Sequence, residues 1–166
     1  MTDSAVGVLG VKVDTTYVSA GDLPMGQGEV VITRNGAAFI GRAVSGVAAG
    51  SLVVFAPASG AASASVDLFL ASVANVSGKL IGVAMTSIAS AEYGWVHTEC
   101  TKEGKVRCNP AETGVPLFLT ATGGLVDDAV TSGKALTGLF ILTSVTSAST
   151  PPAIWRNITL DRSTIA

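Results

Sequence analysis

Charge is what this sequence has least of. Only 13% of its 166 residues are charged, about half the usual share of ~25% in soluble domains. Charged faces keep monomers apart, so so few of them suits a surface partly covered by other subunits. The net charge is −2, and no stretch gathers the basic stripe that phosphate neutralisation needs, which argues against nucleic-acid binding. A single histidine, His97, is present. It cannot complete a four-ligand zinc set with the two cysteines, Cys100 and Cys108. It is also the only base a hydrolase triad could use, and no Gly-x-Ser-x-Gly elbow accompanies it. Aromatics make up 5% of the chain, a thin supply for stacking sugars; Trp95, Trp155, Tyr17 and Tyr93 are the candidates for that role. No window reaches the ~18 uninterrupted apolar residues of a membrane helix. The start, Met1-Thr2-Asp3-Ser4-Ala5, lacks the basic and apolar regions of a signal peptide, so synthesis and assembly in a cytoplasm are expected.

What the chain does have is short β-branched runs cut by Gly, Pro, Ser and Asp, the pattern of an all-β domain. Candidate strands are Gly7–Val13, Glu29–Thr33, Ala38–Arg42, Leu52–Ala56, Ser65–Leu70, Leu80–Thr86, Tyr93–Cys100, Lys105–Cys108, Leu117–Thr120, Leu125–Val126, Leu136–Leu142 and Ile154–Leu160. Ser65–Asn75 also reads as an amphipathic helix, with Val66, Phe69, Leu70 and Val73 on one side. Arg34-Asn35-Gly36-Ala37 predicts a type I′ hairpin. Pro151-Pro152 should hold an extended lead-in to the last strand. The expected architecture is a compact β-barrel or sandwich over residues 29–166. Residues 1–28, sparse in large apolar side chains, are expected to form an extended N-terminal arm that orders on a partner.

Two internal echoes stand out. Gly78-Lys79-Leu80-Ile81-Gly82-Val83 resembles Gly133-Lys134-Ala135-Leu136-Thr137-Gly138-Leu139, and each leads through a Ser/Thr/Ala stretch to a Trp-bearing strand. Ala49-Gly50-Ser51-Leu52-Val53-Val54-Phe55 resembles Thr113-Gly114-Val115-Pro116-Leu117-Phe118-Leu119. Either similar hairpin units pack around one core, or these are the chance likenesses of Gly- and Val-rich strands.

The search for chemistry returns little. Cys100 and Cys108 flank a turn-like Thr101–Lys105. A three-residue hairpin loop there permits a disulfide and a two-residue loop does not; cytoplasmic synthesis favours free thiols packed as small apolar groups. His97 and Cys100, three apart on one strand, would face opposite ways, which leaves His97 as an ordinary surface or interface residue. Asp127-Asp128 lacks calcium-loop spacing and reads as a solvated turn. No phosphate-binding glycine loop leads into a helix. The expectation is a non-enzyme with no catalytic residue, no cofactor and no metal site, in which Trp95 and Trp155 pack a core or a subunit contact.

One stretch resembles a known family. Gly82-Val83-Ala84-Met85, continued by Ile88-Ala89-Ser90-Ala91-Glu92-Tyr93-Gly94-Trp95-Val96, is similar to the "G-V-A … I-A-x-G-E-x-G-x-V" pattern of small capsid decoration (cement, or head-stabilising) proteins of tailed phages. Thr113–Leu119 is similar to that family's "A-G-x-P-L-Y-L" strand, and the likeness runs on through Gly123–Asp128 and Leu136–Leu139. It spans roughly Lys79 to Arg162, about half the chain. Ser90-Ala91 departs from it where a turn glycine is common, as does Cys108-Asn109-Pro110 in a linker usually rich in alanine. The resemblance implies a homotrimer on the outer surface of a virion, clamping major capsid protein subunits at threefold or pseudo-threefold positions, with no membrane or nucleic-acid partner. An N-terminal arm that adds a strand to the capsid would suit it. A tail, neck or fibre-associated virion protein and a carbohydrate-binding β module are the alternatives.

Overall fold

The computed structural model describes residues 14–57, 66–76, 80–130 and 135–161. The strand expected at Gly7–Val13, most of the first half of the expected arm, and the Gly-Lys pairs that open one echo lie outside them. The described residues form strands β1 (Thr16–Tyr17), β2 (Val30–Thr33), β3 (Gly36–Ala43), β4 (Leu52–Pro57), β5 (Val66–Leu70), β6 (Leu80–Ala84), β7 (Tyr93–His97), β8 (Glu99–Lys105), β9 (Leu117–Leu119), β10 (Val126–Asp127), β11 (Ala135–Ile141) and β12 (Pro152–Leu160), with a 3₁₀ turn at Ala20–Asp22. The chain is all-β, as its composition predicts.

β3, β5, β4, β6 and β7 pair in that order, and β7 pairs back to β3, closing a five-stranded barrel. Closure leaves no open edge in this ring. The parallel β3–β5 seam sets Arg42 opposite Asp67. There the guanidinium grips the buried carboxylate with two bonds, Nε to Oδ1 at 3.0 Å and Nη2 to Oδ2 at 3.3 Å. A barrel of five strands has little room inside, and glycines supply it. A Cβ on Gly41 would stand 2.6 Å from Leu68, and one on Gly94 would stand 2.5 Å from Ile88. Phe39, Val53, Leu68, Ile88 and Val96 fill the interior.

The second half repeats this arrangement. Its sheet runs β10-β9-β11-β12-β8, the order β5-β4-β6-β7-β3 strand for strand. The parallel seam is echoed as well, because Cys108 bridges Val126 in parallel. The antiparallel bridge Val47–Ile88 of the first unit matches Ala111–Val145 of the second. The Ala49 amide donates to Ser87 Oγ at 3.2 Å, and the Thr113 amide donates to Ser144 Oγ at 2.9 Å. Gly50 (φ 80°) and Gly114 (φ 85°) take the same left-handed turn before β4 and β9. Both sequence echoes therefore belong to one duplicated five-strand unit.

The two tryptophans are not equivalent within it. Gly41 pairs with Gly94 and Gly104 with Ala153, so Trp95 corresponds to Ile154 and Trp155 falls one residue further on. One step along a strand reverses the face. Trp155 joins the larger core, where Leu52, Val54, Ile81 and Val83 from the first unit meet Leu117, Leu119, Leu139 and Ile158 from the second. Trp95 points away, packing with Val31, Ala38 and Ile40 beneath Tyr17, Leu23 and Met25. Part of the expected arm thus lies on the barrel, and β1 pairs with β7 through Thr16–Gly94 and Tyr17–Tyr93.

Several sequence expectations are corrected. Of the two readings of 65–75 the strand holds and the helix does not, over the described residues: Val66–Leu70 is strand, and Asn75 then caps a turn by accepting from the Ser72 amide and donating to the Leu70 carbonyl. Leu68 fills the barrel while Phe69 packs on the larger core. Apolar groups on both faces hide the period of two. The strand expected at Tyr93–Cys100 is two strands, and Thr101–Lys105 is part of β8 rather than a turn. The hairpin at Arg34-Asn35 forms, with Thr33 opposite Gly36. Positive φ there falls on Gly36 and on neither loop residue, so the turn is not type I′.

Candidate interaction surface

Three features that drew attention in the sequence are packed away. His97, expected at a surface or interface, is 3% exposed. Burial lowers its pKa from 6.5 to about 4, partly offset by a hydrogen bond with the Glu99 backbone. It ends β7, and its carbonyl accepts a bond from Trp155 Nε1 at 3.2 Å, tying the two units together. Cys100 belongs to β8, on the far side of Thr98 from His97, so no Cys–His pair shares a strand. Both cysteines are free and buried. Desolvation raises both thiols, and for Cys108, with Asp127 and Asp128 adding repulsion, the value reaches about 11. Such thiols are poor nucleophiles.

Asp127 is not in a solvated turn. It lies in β10, half-buried, and its pKa is raised mainly by desolvation, with the Ala129 backbone opposing and Asp128 adding to the rise. Asp128 Oδ2 accepts from the Glu112 amide at 3.0 Å, a structural loop contact. Among the described residues no three acidic, histidine or cysteine side chains gather around a common point. An open cleft of about 280 Å³ lined by Arg107, Cys108, Leu125 and Ser149 offers no paired acid and base. Trp95 and Trp155, at 0% and 2% exposure, are core residues and present no face to a sugar.

What the surface does present is apolar. On β2, Val30 and Ile32 are 62% and 61% exposed while Val31 and Thr33 alternate inward. The strand's second edge has no partner among the described residues, which is how a strand recruits another chain. On the second unit Phe140 is 60% exposed and Leu142 45%. Phe140 stands opposite Ile154, and the Leu142 amide bonds the Pro152 carbonyl. These four side chains therefore share one outward face of β11 and β12, with exposed Lys105 opposite Pro152 and exposed Arg156 two residues beyond Ile154. The sequence showed these residues only as strand apolars. Their exposure follows from register, which composition does not disclose.

No protein-family model and no curated protein matches the chain. Among solved structures it is similar to the crystal structure of the head fiber gp8.5 N base in bacteriophage phi29, with a TM-score of 0.52 and 13% identity over 75% of this chain and 98% of that one. At that identity the likeness is one of fold, and it runs through nearly the whole of the phage base.

Proposed function

We propose that this chain is a non-enzymatic structural protein of a phage virion, which decorates and stabilises the outer surface of an icosahedral capsid as a homotrimer bound to the major capsid protein at threefold or pseudo-threefold positions. The observation that carries the reading is the fold shared with 98% of a phage head-fibre base. The low charge, the exposed apolar β2 edge and the Phe140 face support it, since contact area is the product of such a protein. Three copies acting together would turn weak individual contacts into firm attachment.

A second reading is favoured by the same likeness: the chain is the base that anchors a head fibre. The two differ in what projects from the shell. Purified chain mixed with heads of its own phage that lack it should co-sediment with them, and cryo-electron microscopy should show compact threefold density on the outer shell. Density continuing outward as a shaft in complete virions would select the fibre base. Failure to bind heads, or density confined to the tail, would overturn both. Residues 1–13 are the segment to delete in testing the arm, since Tyr17, Leu23 and Met25 cover Trp95; undiminished head binding by that truncation would remove the arm from the proposal.

A further inference from the structure

We propose that the cleft at Arg107 is a carboxylate-binding site, which seats an aspartate or glutamate side chain of a partner chain in the place that Asp67 holds in the first unit. The site goes beyond the reading above and does not depend on it, since its chemistry is the same on any particle.

The duplication supplies the template. In the first unit Ala43 lies beside Leu68 across the parallel seam, and one residue earlier Arg42 faces Asp67. In the second unit Cys108 bridges Val126 in the same parallel sense. The Asn109 amide bonds the Val126 carbonyl there, as the Val44 amide bonds that of Leu68. One residue earlier, Arg107 faces Leu125. Counted from Gly104 and Gly41, β8 reaches its seam later than β3 does, so the match holds at the seam itself. The arginine is repeated and its carboxylate is not.

Arg42 grips Asp67 through the Nε–Nη2 edge of its guanidinium. The same edge of Arg107 has no acceptor among the described residues. Its side chain bonds Ser51 Oγ through Nη1 at 3.5 Å, and Ser51 is fully buried. The guanidinium is thus tied by the nitrogen that a bidentate grip does not use. Two parallel N–H···O bonds to a carboxylate are what the free edge is shaped to make.

The cleft that Arg107 lines, about 280 Å³, is completed by Leu125, Ser149 and Thr150 among others. Thr150 lies opposite Arg107, because Cys108 pairs with Ser149 and Lys105 with Pro152. Ser149 and Thr150 are exposed, and their hydroxyls can add donors to an anion held there. The surrounding charges favour a single negative charge. Exposed Lys105, two residues from Arg107 on the same face of β8, adds a cation at the rim. Asp127 and Asp128 repel charge at Cys108, which also lines the cleft, so a dianion such as phosphate is disfavoured. Outside the described residues this chain's own carboxylates are the Asp3 side chain and the terminus at Ala166, which the test separates from a partner's.

The isotope-labelled full chain is titrated with N-acetyl-aspartyl methylamide, with its asparaginyl counterpart and sodium phosphate as controls at equal ionic strength. Nuclear magnetic resonance reads the Arg107 Nε–H and the amides of Cys108, Ser149 and Thr150, while unshifted β4 and β11 amides report that each variant is folded. The acidic probe should shift the cleft signals to saturation, and the asparaginyl probe should leave them in place. A response in the parent shows the site open and free for a partner's carboxylate. Arg107→Gln should lose the response, and Arg107→Lys should keep only a fraction of it, since lysine offers no fork. Leu125→Asp should also lose it, because the seam then carries its own carboxylate. An equal response to phosphate would overturn carboxylate as the ligand. A silent parent that responds once Asp3→Asn is introduced, or once residues 162–166 are removed, would overturn the partner as the source. Silence in all of these forms would overturn the site.

Discussion

His97 shows how one side chain can make the whole fold sensitive to acid. Its imidazole is held neutral by burial, with a pKa of about 4 against 6.5 unfolded. Between those two values the unfolded chain binds a proton that the folded chain refuses, so stability falls as pH drops through that window. The loss should approach about 3 kcal/mol by pH 4 and contribute nothing further above pH 6.5. Urea denaturation at a series of pH values should show this slope, and His97→Gln should remove its share. Ala91 offers a test in the opposite direction. It sits at φ 67°, donating its amide to the Ala43 carbonyl, at the place where the resembling phage pattern carries a turn glycine. Relief of left-handed strain, set against the added freedom of the unfolded chain, should make Ala91→Gly stabilising by up to about 1 kcal/mol. Gly94→Ala should do the reverse, since the new methyl would meet Ile88 at 2.5 Å inside the barrel; overpacking of this kind costs about 1–3 kcal/mol. Gly46, with no atom within 4 Å of its would-be Cβ, is the control that should tolerate alanine.

At the scale of elements, the duplication makes a paired prediction. Gly50 and Gly114 occupy matching left-handed turns, but a side chain at Gly50 would meet the Arg107 backbone nitrogen at 3.2 Å, whereas nothing lies within 4 Å at Gly114. Gly114→Ala should therefore lose about 1 kcal/mol from backbone conformation alone, and Gly50→Ala distinctly more, by thermal melting of the two variants. The same elements show what the sequence could and could not reveal. The strand at Leu52–Ala56 was legible because its apolar, β-branched run is bounded by Ser51 and Pro57. The repeat was visible in its turn glycines, Gly50 with Gly114, because a left-handed turn dictates that residue; Gly82 and Gly138 do not correspond, since Gly82 lies opposite Val53 and Gly138 sits at the β11 bulge with φ 78°. The passage from β7 to β8 was not legible: Thr98 is no turn residue, and the apolar alternation runs through it. The same break misplaced the cysteines, whose apparent hairpin is the body of β8. The exposed face of Phe140 and Ile154 depends on register between strands far apart in sequence, which no local pattern encodes.

For the molecule as a whole, the consequence of the duplication is interdependence rather than two beads on a string. The core around Trp155 draws Leu52, Val54, Ile81 and Val83 from the outer wall of the first barrel and Leu117, Leu139 and Ile158 from the second unit. Neither unit can bury these side chains by itself. Trp155 also bonds the His97 carbonyl across the junction, so its loss strikes packing and a cross-unit hydrogen bond together. Trp155→Ala should cost about 3–5 kcal/mol, and it should do so without splitting the unfolding transition. Calorimetry on the parent chain should give one peak whose van't Hoff and calorimetric enthalpies agree, and hydrogen exchange should protect β4, β6, β11 and β12 to the same global limit. Two resolved peaks, or protection in one unit surviving the loss of the other, would show that the shared core contributes little to cohesion.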